Sequence, residues 1–126
     1  MAITLSNPAR NAAANAVVDA LDAGAGAATI EYQTAANAVV ATLTMSDPAF
    51  GGADAGVATA NEVADDTAAT GGVVAKAVFK DGDGAEVFRL TVSSAGGGGD
   101  VIVDNTTIGS GTTVKLTSLT YTQPAT

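Results

Sequence analysis

The run Asp81-Gly82-Asp83-Gly84 stands between two segments that alternate apolar and polar residues, and no feature of this 126-residue chain restricts its fold more. Before it, Val73, Ala75, Ala77 and Phe79 alternate with Val74, Lys76, Val78 and Lys80. After it, Phe88, Leu90 and Val92 alternate with Val87, Arg89, Thr91 and Ser93. A period of two puts each set on one face of a strand. Asp-Gly twice in succession supplies the positive φ that tight hairpin turns need, because glycine has no Cβ to clash there. An antiparallel hairpin over 73–93 is expected, and with it a β-rich fold.

Other segments extend that pattern. Ile30 and Tyr32 alternate with Thr29, Glu31 and Gln33. Val39, Ala41, Leu43 and Met45 share one face of a second strand, with Val40, Thr42 and Thr44 on the other. The intervening Thr34-Ala35-Ala36-Asn37 has the length of a hairpin loop, and Asn37 suits the turn. Pro48 cannot donate to a ladder, so Ser46-Asp47-Pro48 ends the second strand. Phe50, flanked by Gly51 and Gly52, reads as an anchor that tucks a loop onto the body. The segment 56–64 reads as a thin strand with Val57, Thr59, Asn61 and Val63 on one face. After the Ala95–Gly99 linker, Val101 and Val103 make a short strand, and a turn follows at 109–111. In the last strand the alternation slips from Val114 and Leu116 to Leu119 and Tyr121, which predicts a bulge near Thr117-Ser118.

One helix is expected ahead of the strands, within 3–23. Asn7 is placed as its N-cap and Pro8 as its first residue, and Gly24 stops it. Ala14, Val17, Val18 and Leu21 recur at helical spacing, with Asn11, Asn15, Asp19 and Asp22 opposite. Packing of this narrow stripe on its own domain is favoured over docking to a partner subunit. The expected fold class is thus mainly β: an antiparallel β-sandwich of roughly seven or eight strands, with a jelly-roll arrangement among the candidates, and one N-terminal amphipathic helix. A single domain covers 1–126, with an arm and helix over 1–24 and the sandwich over 28–126.

Composition narrows the chemistry. The chain has no Cys, His or Trp, so disulfides, thiolate chemistry, His-based triads and Cys or His zinc sites are excluded. Thirteen acidic residues stand against five basic ones (Arg10, Lys76, Lys80, Arg89, Lys115), a net charge of −8 that disfavours nucleic acid and anionic membranes as partners. No window approaches the length of an apolar membrane span, and 1–11 lacks a secretory pattern, so cytoplasmic synthesis is expected. Asp81, Asp83 and Glu86 resemble a calcium loop only in part, because Ala85, Glu86 and Val92 stand where an oxygen ligand, a glycine and a glutamate are required. A polar turn is the better reading, and Asp65-Asp66 reads as a solvated pair. The runs Gly24–Gly26 and Gly96–Gly99 lack phosphate-loop spacing and read as linkers. No catalytic residue, cofactor or metal site is expected.

The motifs LSNPARNAA and DAGAG near the N-terminus, the loop SDPAFG, the run GVATAN and the terminal SLTYTQPA resemble those of small proteins encoded among the structural genes of tailed bacteriophages and prophages. Members of that group are taken to be capsid decoration, or cement, proteins. The resemblance implies a non-enzymatic virion protein, made in the host cytoplasm, that binds the outer capsid surface as a dimer or trimer and bridges major capsid subunits. An apolar arm and a glycine-flanked aromatic are available for docking, so Ile3, Leu5, Arg10 and Phe50 are the candidate partner-binding residues. The alternative is a carbohydrate-binding β-sandwich or a tail or fibre component.

Overall fold

The computed structural model describes residues 3–94, 96–98, 101–103, 105–116 and 119–125. Helix α1 spans Asn7–Asp19 and tightens into a 3-10 turn at Ala20–Asp22. Its N-cap is Ser6, not Asn7: the Ser6 backbone is extended and its Oγ accepts from the Ala9 N–H at 3.3 Å. Pro8 is then the second helical residue, where the missing N–H still has no intrahelical acceptor to lose.

Among the described residues ten strands follow: β1 (Thr29–Gln33), β2 (Val39–Met45), β3 (Val57–Thr59), β4 (Val63–Ala64), β5 (Gly72–Val73), β6 (Lys76–Lys80), β7 (Glu86–Ser94), β8 (Val101–Val103), β9 (Thr107–Ile108) and β10 (Thr120–Thr122). The protein is mainly β, with antiparallel sheets and one N-terminal helix. A six-stranded sheet has the order β4-β2-β1-β6-β7-β8, while β10 pairs with β3 and β5 with β9 as two-stranded ribbons. Among the described residues the strand pairings are antiparallel except that of β7 with β8, which run parallel.

The expected hairpin is β6–β7. Phe79 lies opposite Phe88 with ring centroids 4.4 Å apart, and Phe88 meets Tyr121 at 6.0 Å. Stacked aromatics of this kind add about 0.5–1.5 kcal/mol beyond their area burial. The register carries inward side chains straight across the sheet. Leu43, Ile30, Phe79 and Phe88 form one row, and Ala41, Tyr32, Ala77 and Leu90 the next. Val18 and Leu21 from the helix side complete the same core with Phe50, Ala58 and Val114.

Four expectations change. Val39 does not share the inward face of β2: a register shift opposite Tyr32 and Gln33 turns Val40 into the core at 0% exposure and leaves Val39 at 40%. In β3 the inward residue is Ala58, at 0% exposure, with Val57 and Thr59 on the other side of the strand, which pairs with β10. Segment 73–80 is not one strand, since β5 pairs with β9 and the chain enters the large sheet only at Lys76. The Gly24–Gly26 run is not a free linker: it packs on the β6–β7 turn, and the Gly82 N–H donates to the Ala23 carbonyl at 2.9 Å. A Cβ on Gly82 would stand 2.1 Å from the Gly26 carbonyl oxygen, so this glycine is required for close approach. The positive φ that the hairpin needs falls on Gly84, at +86°. The bulge expected near Thr117-Ser118 lies outside the described residues.

Candidate functional site

The four residues singled out in the sequence occupy different settings. Ile3 is 51% exposed. Leu5 is half-buried, and its N–H donates to the Ala125 carbonyl at 2.7 Å. Arg10 is spent inside the molecule, because its Nε donates to the Gln123 carbonyl at 2.9 Å and its guanidinium lies against Gly56. Gln123 in turn donates its N–H to the Gly56 carbonyl at 2.8 Å. Leu5, Arg10 and Gly56 are thus brought together by the C-terminal segment, and Ile3 extends from that junction. Phe50 is only 5% exposed and sits in the core, so it is not itself a contact residue.

What holds the connection around Phe50 is a set of acceptors on the helix side that the amphipathic pattern assigned to solvent. The Gly56 N–H donates to Asn11 Oδ1, the Ala53 N–H to Asn15 Oδ1 and the Ala49 N–H to Asp22 Oδ1, each at 2.8 Å. The spacing 11, 15, 22 follows the helical repeat, so one row of the helix surface meets successive amides of one loop. A run of short polar side chains on one row of an Ala-rich helix was the available signal. Only the position of the loop turns that signal into a set of contacts.

Of the carboxylates weighed as metal ligands, Asp66, Asp81 and Glu86 are engaged with the protein. Asp81 Oδ1 accepts from the Asp83 and Ala85 N–H groups at 2.9 and 3.0 Å, which shapes the hairpin turn. Asp66 accepts from the Thr42 N–H and the Ala68 N–H, both at 2.9 Å. Those two donors hold its carboxyl below the ordinary aspartate value. Among the described residues no group of three or more acidic, His or Cys side chains is arranged to hold a metal ion.

A second grouping lies on the polar face of the expected hairpin, and the pairing of β1 with β6 adds Glu31 to it. The outward rows of the six-stranded sheet follow from the same register as the inward ones. They place Lys76 and Lys80 on β6 beside Arg89 on β7, with Glu31 on β1 and Glu86 on β7. Lys80 Nζ meets Glu31 Oε2 at 3.1 Å, and Gln33 Nε2 donates to Glu31 Oε1 at 2.7 Å. Arg89 grips Glu86 with two donors, Nε at 2.9 Å and Nη2 at 2.5 Å. That hydrogen bonding, with the positive charges of Arg89, Lys76 and Lys80, holds the Glu86 carboxyl below the ordinary range, and the same pairing raises Arg89. Val78, the apolar residue amid this polar face, is 1% exposed and shielded from water. Tyr32 faces the other way, and burial pushes its phenol up.

Fold and surface together define a small mainly β domain in which side-chain hydrogen bonds and ion pairs hold loops, turns and neighbouring strands. No protein-family model, curated protein or solved structure matches the chain.

Proposed function

We propose that this chain is a non-enzymatic structural protein of a phage particle, a decoration protein that binds the outer capsid surface and bridges neighbouring major capsid subunits. The sequence resemblance motivates this reading. The observation that carries it in the structure is the joined pair of termini. Leu5 donates to Ala125, Arg10 to Gln123 and Gln123 to Gly56, so the N-terminal segment, the C-terminal segment and the turn at Gly56 are hydrogen-bonded together while Ile3 projects at 51% exposure. An apolar residue presented from a fixed base loses little conformational entropy when it docks. Many such copies, each touching two subunits as a dimer or trimer, would gain avidity without a covalent bond.

Phe50 enters this reading indirectly, as the core residue that fixes the SDPAFGG turn. The alternative of a carbohydrate-binding or fibre module has less support. Sugar platforms use exposed aromatics, whereas Tyr32, Phe50 and Phe79 are buried here and Phe88 and Tyr121 are half-buried against the core.

The test is occupancy on capsids that lack the protein, measured by co-sedimentation and by imaging. The intact chain should decorate them, and a chain without residues 1–5 should show clearly reduced occupancy with its thermal transition retained. An intact, folded chain that leaves the capsids bare in excess would refute the assignment.

A further inference from the structure

We infer that Asp66 is an acid-sensitive latch that closes the segment 65–71, and with it 109–114, over the outer edge of β2. Strand β4 covers that edge only at Thr44 and Met45. Further along, the edge is met by a side chain, since Asp66 Oδ2 accepts from the Thr42 N–H at 2.9 Å. The Gly71 N–H then donates to the Val40 carbonyl at 3.1 Å. An uncovered strand edge is a template for pairing with another chain, so a cover supplied from within the molecule keeps this edge occupied.

One residue joins three parts of the chain here. The second carboxylate oxygen, Oδ1, accepts from the Ala68 N–H at 2.9 Å and so shapes its own turn. The Asp66 backbone exchanges hydrogen bonds with Val114 in both directions, at 3.0 and 2.7 Å. The pairing continues from Ala69 to the Thr112 carbonyl at 3.1 Å and from Gly111 back to the Ala69 carbonyl at 2.7 Å. Val40, Ala69 and Val114 all belong to the buried core, so closure of this cover also shields apolar surface. Both Asp66 oxygens accept from backbone amides, which can only donate. Protonation removes the charge that strengthens both bonds and makes one oxygen a donor facing a donor.

The surrounding charges leave this role to Asp66. Strands β2, β4, β5 and β9 carry no titratable side chain. Glu31, opposite Thr42 on β1, is bound to Lys80. Glu62 and Asp65 lie on the same stretch of chain as Asp66, and Lys115 follows Val114. The low position of the Asp66 carboxyl comes from the Thr42 and Ala68 donors and not from a cation. Because the folded value is lowered, the latch is closed above the ordinary aspartate value and released as pH falls through the lower folded one.

Amide hydrogen exchange read by NMR on the intact chain tests this, with each rate divided by its unstructured value at the same pH. From neutral pH to well below the ordinary aspartate value, protection at Thr42, Ala68 and Gly71 should fall about fivefold or more along one titration curve. Protection at Ile30 on β1 and Val78 on β6 should stay level over the same range. Asp66→Asn offers one acceptor oxygen to two donors, so the same three amides should be weakly protected at every pH, with no step. Asp65→Asn should keep the step of the unaltered chain. A step that is absent from the unaltered chain, that survives in Asp66→Asn or that vanishes in Asp65→Asn would overturn the inference. Loss of protection spread equally over β1 and β6 would overturn it too, because acid would then be loosening the whole sheet and not releasing a latch.

Discussion

Replacing Asn15 by Ala sets two effects of known sign against each other. In the helix interior Ala is favoured over Asn by roughly 0.5 kcal/mol, so an Asn15 that merely faced solvent would give a slightly more stable protein on substitution. In the structure Asn15 Oδ1 accepts the Ala53 N–H at 2.8 Å in a half-buried setting. Removing the acceptor strands a partly desolvated amide, at a cost of about 1–3 kcal/mol. The hydrogen bond should win, for a net loss of about 0.5–2.5 kcal/mol, equivalent to a fall in melting temperature of roughly 2–10 °C for a domain of this size. Asn15→Asp keeps an acceptor oxygen and should lie close to the unaltered protein. Urea and thermal unfolding read the stability, and hydrogen exchange at Ala53 reads the bond itself. If Asn15→Ala were as stable as the parent and exchange at Ala53 unchanged, the strapping of the 49–56 connection to α1 would be wrong.

Further outcomes follow from the same contacts. Phe50→Ala should cost about 3–5 kcal/mol, a large share of the stability of a small domain, with exchange rising first in 47–56, as urea unfolding with amide exchange would resolve. Gly82→Ala should be more damaging than Gly84→Ala in thermal unfolding. A Cβ on Gly82 meets backbone at 2.1 Å, whereas one on Gly84 finds open space and incurs only the positive-φ cost of about 1–2 kcal/mol. The Asp66 carboxyl is depressed in the folded state by its two backbone donors. Its contribution is therefore present above the ordinary aspartate value and lost as pH falls through the lower folded value. Asp66→Asn should flatten the stability–pH curve across that acid window, and an unchanged curve would remove Asp66 from the account.

The local features came from the sequence because their causes are local. The β6–β7 hairpin was legible in Asp81-Gly82-Asp83-Gly84 and the flanking period of two, and the β1–β2 hairpin in its alternation and in Asn37, whose φ is +71°. The helix was legible in the Ala14, Val18 and Leu21 stripe, all three of which are buried. The helix start slipped by one residue because Ser6 and Asn7 are both good caps and only backbone conformation separates them.

What the chain alone determined, then, is a mainly β domain with one N-terminal helix, since turn chemistry and side-chain period act over a few residues. Only the tertiary structure decided what depends on distant segments meeting. Asn11, Asn15 and Asp22 read as a solvated face until the 49–56 connection lies over them, and Gly26 reads as linker until Gly82 is pressed against it. Glu31 reads as one more strand acid until pairing of β1 with β6 sets it beside Lys80. In each instance the residue type is visible in the sequence, but its partner is set by strand order and register, which no local pattern encodes.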